Sequence, residues 1–171
     1  MAESNASANT DTNAEERELV ITRIFDVPRE LVFKAWTECE HLQRWWGPKG
    51  FTAPFCKIDL RVGGKYLFCM RSPESKDFWS TGVYREIVHL ERLVCTDSFA
   101  DAEGNVVPAT HYGMGADFPL ETQVTVTFAE YEGKTQMTLR HVGIPMGMMR
   151  DMSNAGWNES LDKLAEVVGG S

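Results

Sequence analysis

Residues 120–141 carry the pattern that most constrains how this chain can fold. Over residues 120–128, apolar and polar side chains alternate with a period of two, which is typical of a β-strand with one buried face. Glu132-Gly133 predicts a tight turn, and the alternation resumes over residues 136–141. The inward side chains of the return strand are Met137, Leu139 and His141. Two such strands require an antiparallel sheet whose apolar face is covered by another layer.

The rest of the chain supplies further strands, two short helices and one long helix. A first strand is predicted over residues 19–27, and Pro28 is typical of the first turn of a helix. A glycine pair at Gly63-Gly64 indicates a hairpin. Further strands are predicted over residues 51–59, 65–71, 78–90 and 93–99, with a second short helix through His41-Leu42. A long helix is predicted over residues 149–168, with Trp157, Leu161, Leu164 and Val168 on one face.

This order of elements predicts an α+β fold. A curved antiparallel sheet wraps around the long C-terminal helix, and two short helices follow the first strand. Strong curvature separates the concave face of a sheet from the helix that it grips. Bulky side chains then fill the gap, or the gap stays open for a ligand. Gly156 lies inside the predicted helix, where a close approach of helix to sheet, or room for a ligand, explains a glycine.

Length and charge limit the classes of function. A chain of 171 residues with 43% apolar residues suits one domain with one core, predicted over residues 17–171. Residues 1–16 hold half of the net charge of −8 and no apolar run, so they predict a disordered acidic tail. Without a basic cluster, nucleic acid is not expected as a partner. No signal peptide or membrane span is recognisable, so we expect a soluble, cytoplasmic protein.

The four cysteines, Cys39, Cys56, Cys69 and Cys95, are widely separated and form no Cys-x-x-Cys pair. Structural zinc sites show short paired spacings, which this chain lacks. We therefore expect four reduced thiols and no metal site.

Two segments attract attention as candidates for function. At residues 44–48 (RWWGP), two adjacent indoles lie at a turn between a helix and a strand, where they either pack a corner or line a pocket. Residues 101–119 have no periodicity and predict a long loop interrupted by His111-Tyr112. Gly113 and Gly115 would allow that loop to hinge over a groove, and a fixed surface excursion is the alternative.

Seven segments together resemble the AHSA-type family, whose members are similar to the C-terminal domain of the activator of the heat-shock chaperone ATPase. They are residues 22–28, 32–36, 44–48, 59–64, 81–87, 125–128 and 156–164. The resemblance covers residues 18–168 and implies the helix-grip fold of the START-like (SRPBCC) superfamily. The superfamily includes lipid and polyketide binders, cyclases, sequestering proteins and cochaperone domains, so the resemblance is specific for fold more than for function.

The resemblance implies a hydrophobic ligand in the groove between the sheet and the long helix. The candidate ligand-binding residues are Arg23, Trp45, Trp46, Phe68, Met70, Trp79, Tyr112, His141, Met149, Met152 and Trp157. For each aromatic or methionine, filling the core is the alternative. Arg23 and His141 fall in phase with apolar neighbours, so each either has a structural partner or orients a ligand.

The sequence predicts a binding protein rather than an enzyme. Only His111, Tyr112 and His141 could form an acid–base set, and no nucleophile elbow, phosphate loop or cofactor motif is present. We expect a non-enzymatic carrier, sensor or sequestering protein without a cofactor. One alternative is a cochaperone that modulates a chaperone ATPase in the stress response, although only one domain is recognisable. Another is a cyclase-like or hydrolytic enzyme acting on a polyketide-type substrate. Homodimerisation is compatible with this fold, but no apolar stripe indicates it.

Overall fold

The computed structural model describes residues 18–169, so the predicted tail, Arg17 and the last two residues lie outside the described residues. Within that range seven strands form one antiparallel sheet in the order β1-β7-β6-β5-β4-β3-β2. The strands are β1 Glu18–Phe25, β2 Thr52–Ile58, β3 Lys65–Arg71, β4 Asp77–Val88, β5 Arg92–Ala100, β6 Thr122–Tyr131 and β7 Lys134–Val142. The α-helices are α1 Arg29–Thr37, α2 Cys39–Leu42 and α3 Met148–Gly169.

The element order confirms the predicted α+β, helix-grip fold. Two short helices follow β1, six strands follow the helices, and one long helix ends the described chain. Pro28 is the residue before α1 and has an extended backbone, one position earlier than expected. The turn at Glu132-Gly133 also forms as predicted, with both residues at positive φ. The pairing of β1 with β7 closes the first strand onto the last, a long-range contact that no local pattern indicates.

The core lies on the concave face of the sheet. Leu93, Val126 and Leu139 are register partners on β5, β6 and β7, and all three are buried. Leu161 and Leu164 of α3 are completely buried in the same cluster. Burial of a leucine side chain stabilises a fold by about 1.5–3 kcal/mol. The helix is therefore held by its apolar stripe, as its sequence periodicity predicts.

The sheet bends at two irregularities in its ladders. The register shifts between Thr52 and Phe55 on β2 and between Tyr84 and Glu86 on β4. An extra residue in one strand bends that strand and increases the local twist. These shifts help to turn a flat sheet into one that curves around α3.

The expectation of four reduced thiols is wrong for two of them. Cys39 of α2 and Cys56 of β2 form a disulfide, with their Cα atoms 5.5 Å apart. Cys69 and Cys95 are free. The sequence spacing of 17 positions gave no indication of the bond, because pairing requires α2 to pack beside β2, and only the folded chain brings the two together.

The loop over residues 101–119 is packed against the sheet. It contains a 3₁₀-helix, Ala109–Tyr112. The Tyr112 ring lies 5.4 Å from Phe78 and 5.7 Å from Phe99, and Phe118 lies 5.5 Å from Phe99. These contacts fix the loop at the end of the concave face. A hinge at Gly113 and Gly115 stays a prediction.

Gly156 does not mark a close approach of α3 to the sheet, so that explanation is wrong. A Cβ atom at this position would meet only the Pro48 ring, at 3.6 Å, which is an ordinary contact. The glycine faces the turn that follows α2.

Candidate functional site

A cavity of about 40 Å³ lies between the concave face of the sheet and the three helices. One water molecule needs roughly 10–15 Å³ of such space, so the cavity has room for about three water-sized groups. Its lining comes from all layers of the fold: Trp36, Leu42, Trp46, Tyr66, Phe68, Tyr84, Leu93, Cys95, Asp97, Val124, Val126 and Trp157. The predicted gap between sheet and helix is present, and side chains fill most of it.

Aromatic rings form half of the lining. Trp46 lies 4.8 Å from Phe68 and 5.6 Å from Trp157, measured between ring centroids. Trp36 stacks on Trp157 at 6.1 Å. Such ring pairs contribute roughly 0.5–1.5 kcal/mol beyond the area that they bury. The three indoles therefore form a coherent wall between α1, the turn after α2, and α3. The Trp36 indole N–H is buried and has no hydrogen-bond partner among residues 18–169.

The turn that carries Trp46 is fastened to α3 by Lys163. Its Nζ donates to the carbonyl oxygens of Gly47 and Phe51, at 3.1 Å each, and to that of Pro48 at 3.4 Å. Partial burial lowers the pKa of Lys163. Gly47 has φ +100°, a conformation that suits glycine, and this lets the chain reverse directly after the two indoles. The position of Trp46 thus depends on the hydrogen bonds that Lys163 of α3 donates to this turn.

Tyr66 enters the cavity because its register partner on β4 is a glycine. A Cβ atom at Gly82 would lie 2.5 Å from the Tyr66 ring and 1.9 Å from the carbonyl oxygen of Thr96. Without that atom the ring lies across β4, and its hydroxyl reaches the Thr96 carbonyl oxygen at 2.8 Å and Asp97 Oδ1 at 2.9 Å on β5. Gly82 is therefore a positioning residue for the polar end of the cavity.

His141 belongs to a hydrogen-bond chain with one consistent proton assignment. The Trp157 indole N–H donates to His141 Nδ1 at 3.1 Å, so this nitrogen carries no proton. Nε2 then carries the proton and donates to Thr122 Oγ1 at 2.8 Å, whose hydroxyl donates to the Asp97 carbonyl oxygen at 3.1 Å. Burial lowers the pKa of His141 to about 4. The histidine is a neutral link between α3 and the sheet.

Asp97 is the acidic group of the cavity wall. Desolvation raises its pKa to about 6, against an opposing effect of the hydrogen bond from Tyr66. Oδ2 lies 3.8 Å from His141 Nε2, beyond hydrogen-bond distance. The side chain keeps 27% of its surface accessible. Asp97 therefore offers a carboxyl oxygen without a hydrogen-bond partner among residues 18–169.

Three of the predicted ligand-binding residues line the cavity: Trp46, Phe68 and Trp157. His141 is buried directly behind Trp157 and is not part of the lining. Trp45 is completely buried, and its indole N–H donates to the Ala35 carbonyl oxygen at 3.0 Å. Each of the two roles considered for the Trp pair thus applies to one residue: Trp45 packs the corner, and Trp46 lines the cavity.

Trp79 lies on the opposite face of the sheet, so its placement in the groove is wrong. It is the register partner of Cys69, whereas Phe68 pairs with Ser80. Neighbouring register partners share a face, which puts Trp79 with Cys69 on the outer side. There its ring contacts Phe55 at 5.4 Å. The predicted strand phase at Trp79 was shifted by one residue, which reverses the face of the side chain.

The remaining candidates also lie outside the lining. Arg23 joins β1 to α3, with Nη2 donating to the Asn158 carbonyl oxygen at 3.0 Å and to Asp162 at 2.9 Å. Met152 is 58% exposed, because it lies on the solvent side of α3. Met70, Tyr112 and Met149 are half-buried. Met70 lies beside Gly47, Tyr112 packs on Phe78 and Phe99, and Met149 packs against the core.

Sequence reasoning missed the polar end of the cavity. Asp97 and Cys95 line it because they alternate in phase with Leu93 along β5. That period-two pattern was readable in the sequence, and an acid in phase with buried residues would have identified Asp97. The role of Tyr84 had no comparable local signal, since the register shift beside it alters the strand phase.

The structure does not assemble the proposed acid–base set. His111 contacts Tyr112, and His141 uses both ring nitrogens within its own chain of hydrogen bonds. Across residues 18–169, no three His, Cys, Asp or Glu side chains meet in a way that could hold a metal ion. In the same range, no helix has the length and apolar character needed to cross a membrane.

The family described as "Activator of Hsp90 ATPase homolog 1-like protein" matches residues 26–169. A solved structure from Chromobacterium violaceum is 28% identical, with a TM-score of 0.72, and the match covers 89% of this chain and 96% of that one. One from Arthrobacter aurescens is 25% identical, with a TM-score of 0.76 and coverage of 92% and 88%. An AHSA1 protein from Silicibacter pomeroyi, 24% identical with a TM-score of 0.70 and coverage of 89% and 97%, shares the fold. No curated protein matches the chain.

Proposed function

The chain belongs to the family of Activator of Hsp90 ATPase homolog 1-like proteins, and within that family we propose that it binds a small hydrophobic or aromatic ligand as a carrier, sensor or sequestering protein. The observation that carries the proposal is the cavity walled by Trp36, Trp46 and Trp157. Ligand sites are concave and mainly apolar, with a few polar groups that orient the ligand. Here Asp97 and Tyr66 supply those groups.

Two further features support a ligand at this place. The Trp36 indole N–H is an unmet buried donor beside the cavity, and such a donor costs about 1–3 kcal/mol. Trp46 and Trp157 are only half-buried, so the indole wall borders the surface rather than the centre of the core. The volume of about 40 Å³ limits a ligand that enters without rearrangement to a few non-hydrogen atoms.

The test combines native mass spectrometry of protein purified from its own host with thermal-shift screening against apolar and aromatic metabolites. A bound small molecule, or a shift of several degrees, is expected. The shift should be lost in Trp157→Ala and Trp46→Ala variants that still fold. Trp79→Ala is the matched control, because it removes a half-buried indole from the outer face of the same sheet. Equal loss in all three variants would contradict the proposal.

A cochaperone role is the second candidate, favoured by the family description. An adaptable protein-binding surface is available at the start of α3, where Met146, Met148 and Met152 are 59%, 76% and 58% exposed. Flexible thioethers suit surfaces that bind other proteins. The measurement is the ATPase rate of the cognate heat-shock chaperone with saturating protein. Stimulation that Met148→Glu removes and Trp157→Ala leaves intact would favour this candidate, and no stimulation would end it.

The cyclase-like or hydrolytic alternative has no observation in its favour. A homodimer and a cytoplasmic location stay predictions. The Cys39–Cys56 disulfide argues against a strongly reducing compartment, because disulfides are rare in the cytosol.

A further inference from the structure

Asp97 has no Lys or Arg partner among residues 18–169, and its one basic neighbour there, His141, is neutral. Within residues 18–169, no Lys or Arg nitrogen comes within 4 Å of its carboxyl group. Its Oδ1 accepts from the Tyr66 hydroxyl at 2.9 Å, and the proton on His141 Nε2 is donated to Thr122 instead of to Oδ2. A carboxylate removed from bulk water is costly unless it is paired with a cation or hydrogen-bonded. Asp97 Oδ2 is thus an acidic acceptor in the cavity wall that a ligand can reach.

The walls around that oxygen have the chemistry that organic cations prefer. Six of the twelve lining residues are aromatic, and their ring faces carry negative electrostatic potential. Cationic groups bind against such faces, and aromatic cages recognise quaternary ammonium groups in this way. The net charge of −8 also attracts cations to the protein as a whole.

We infer that the cavity selects a small protonated amine, whose ammonium group donates to Asp97 Oδ2 while its carbon atoms contact Trp46 and Trp157. The inference rests on the proposed function, because it names the ligand class of the same cavity. Space for about three water-sized groups matches an ethylammonium ion, which has three non-hydrogen atoms. Ligands of this size bind in about the millimolar range at best.

The pH dependence of binding is set by Asp97 alone. The titratable groups around it are Tyr66 on β3, Tyr84 on β4, Cys95 on β5 and His141 on β7. Burial raises the pKa of both tyrosines above 10 and that of Cys95 to about 12, and lowers that of His141 to about 4. None of these four changes charge between pH 5 and 7.5, where the free Asp97 carboxyl does. An amine should therefore bind about tenfold more weakly at pH 5 than at pH 7.5.

The experiment titrates the full chain with ethylammonium chloride and, separately, with ethanol, a neutral molecule with the same number of non-hydrogen atoms. Ionic strength is held constant, and the indole N–H signals of the tryptophans are followed by NMR. The amine should saturate those signals, with ethanol at least tenfold weaker. Asp97→Asn should lose at least tenfold in affinity for the amine. Asp162→Asn, which removes the same charge from an exposed pair with Arg23, should bind as the unaltered chain does.

The measurements distinguish a cavity that binds neutral ligands from one that binds no ligand. Equal affinity for amine and ethanol, unaffected by Asp97→Asn, would overturn the cation inference and leave a neutral-ligand site in place. No response of the indoles to either molecule or to the metabolite screen would overturn the proposed function and the inference together. The comparison of amine with ethanol uses the unaltered chain, so it holds even if Asp97→Asn fails to fold.

Discussion

Asp97 and His141 should make opposite contributions to the pH dependence of stability. Burial raises the pKa of Asp97 to about 6, from an ordinary value of 3.8, so the folded state binds this proton more tightly than the unfolded state does. Its contribution therefore stabilises the fold increasingly as pH falls from 7 to 4. Burial lowers the pKa of His141 to about 4, from 6.5, so the unfolded state binds that proton first. The contribution of His141 to stability is therefore lost as pH falls from 7 to 4.

The two magnitudes nearly cancel. One pKa unit corresponds to 1.36 kcal/mol, so each residue changes the free energy of unfolding by about 3 kcal/mol between pH 7 and pH 4. For Asp97 this is an upper limit, because 27% of its side chain is accessible to solvent, which offsets part of the desolvation. In the unaltered chain, the opposite contributions of Asp97 and His141 to the pH dependence of stability should therefore nearly offset each other.

Single substitutions should expose them in chemical unfolding at pH 7, 5.5 and 4. Asp97→Asn should be more stable than the unaltered chain at pH 7, by up to about 3 kcal/mol, and this advantage should vanish near pH 4. His141→Gln keeps an acceptor and a donor but cannot titrate, so its stability relative to the unaltered chain should rise by about 3 kcal/mol from pH 7 to 4. Asp162→Asn, with an exposed carboxyl, is the charge control. A difference between Asp97→Asn and the unaltered chain that does not change with pH would refute the reasoning.

Three further predictions test the fold. Replacing Cys39 and Cys56 by serine should cost about 3 kcal/mol, because the disulfide closes a loop of 17 positions; a reductant should lower the denaturant midpoint of the unaltered chain equally, and an unchanged midpoint would argue against the bond. Gly47→Ala should cost about 1–2 kcal/mol, since φ is +100° and the new Cβ would lie 3.0 Å from Phe51 Cβ; thermal unfolding measures it, and an unchanged Tm would contradict the turn. Leu161→Ala should cost about 2–5 kcal/mol in urea unfolding, whereas Leu120→Ala, at a position 57% exposed, should change stability by less than about 0.5 kcal/mol; similar effects would contradict the placement of the core.

The candidate site was predictable where the periodicity of a strand or helix indicated which side chains face the groove. Phe68 shares strand phase with Tyr66, and Trp157 lies on the apolar stripe of α3, so both were expected at the groove and both line the cavity. Trp79 failed because a single residue of phase reverses the face of a strand. Met152 failed because the methionines at the start of α3 carry no clear amphipathic period, and it lies on the solvent side.

The phase of β5 places Asp97 at the cavity, but its chemistry there is not readable from the sequence. Its importance comes from what surrounds it: Tyr66 from β3, Thr122 from β6, His141 from β7 and Trp157 from α3. Desolvation, the proton assignment of the histidine and the lack of a Lys or Arg beside the carboxyl within residues 18–169 are properties of that assembly. A list of residue types in order does not contain them.

The sequence alone determined the order of the strands and helices, the faces that β6, β7 and α3 present to the core, and the family to which the chain belongs. These properties follow from backbone propensity and from hydrophobic periodicity, which act over a few residues. Only the tertiary structure decided that β1 pairs with β7, that Cys39 meets Cys56, and that Trp46 lines the cavity while Trp45 packs the corner. Those outcomes depend on contacts between residues distant along the chain, because curvature, close packing and desolvation arise only when all the layers come together.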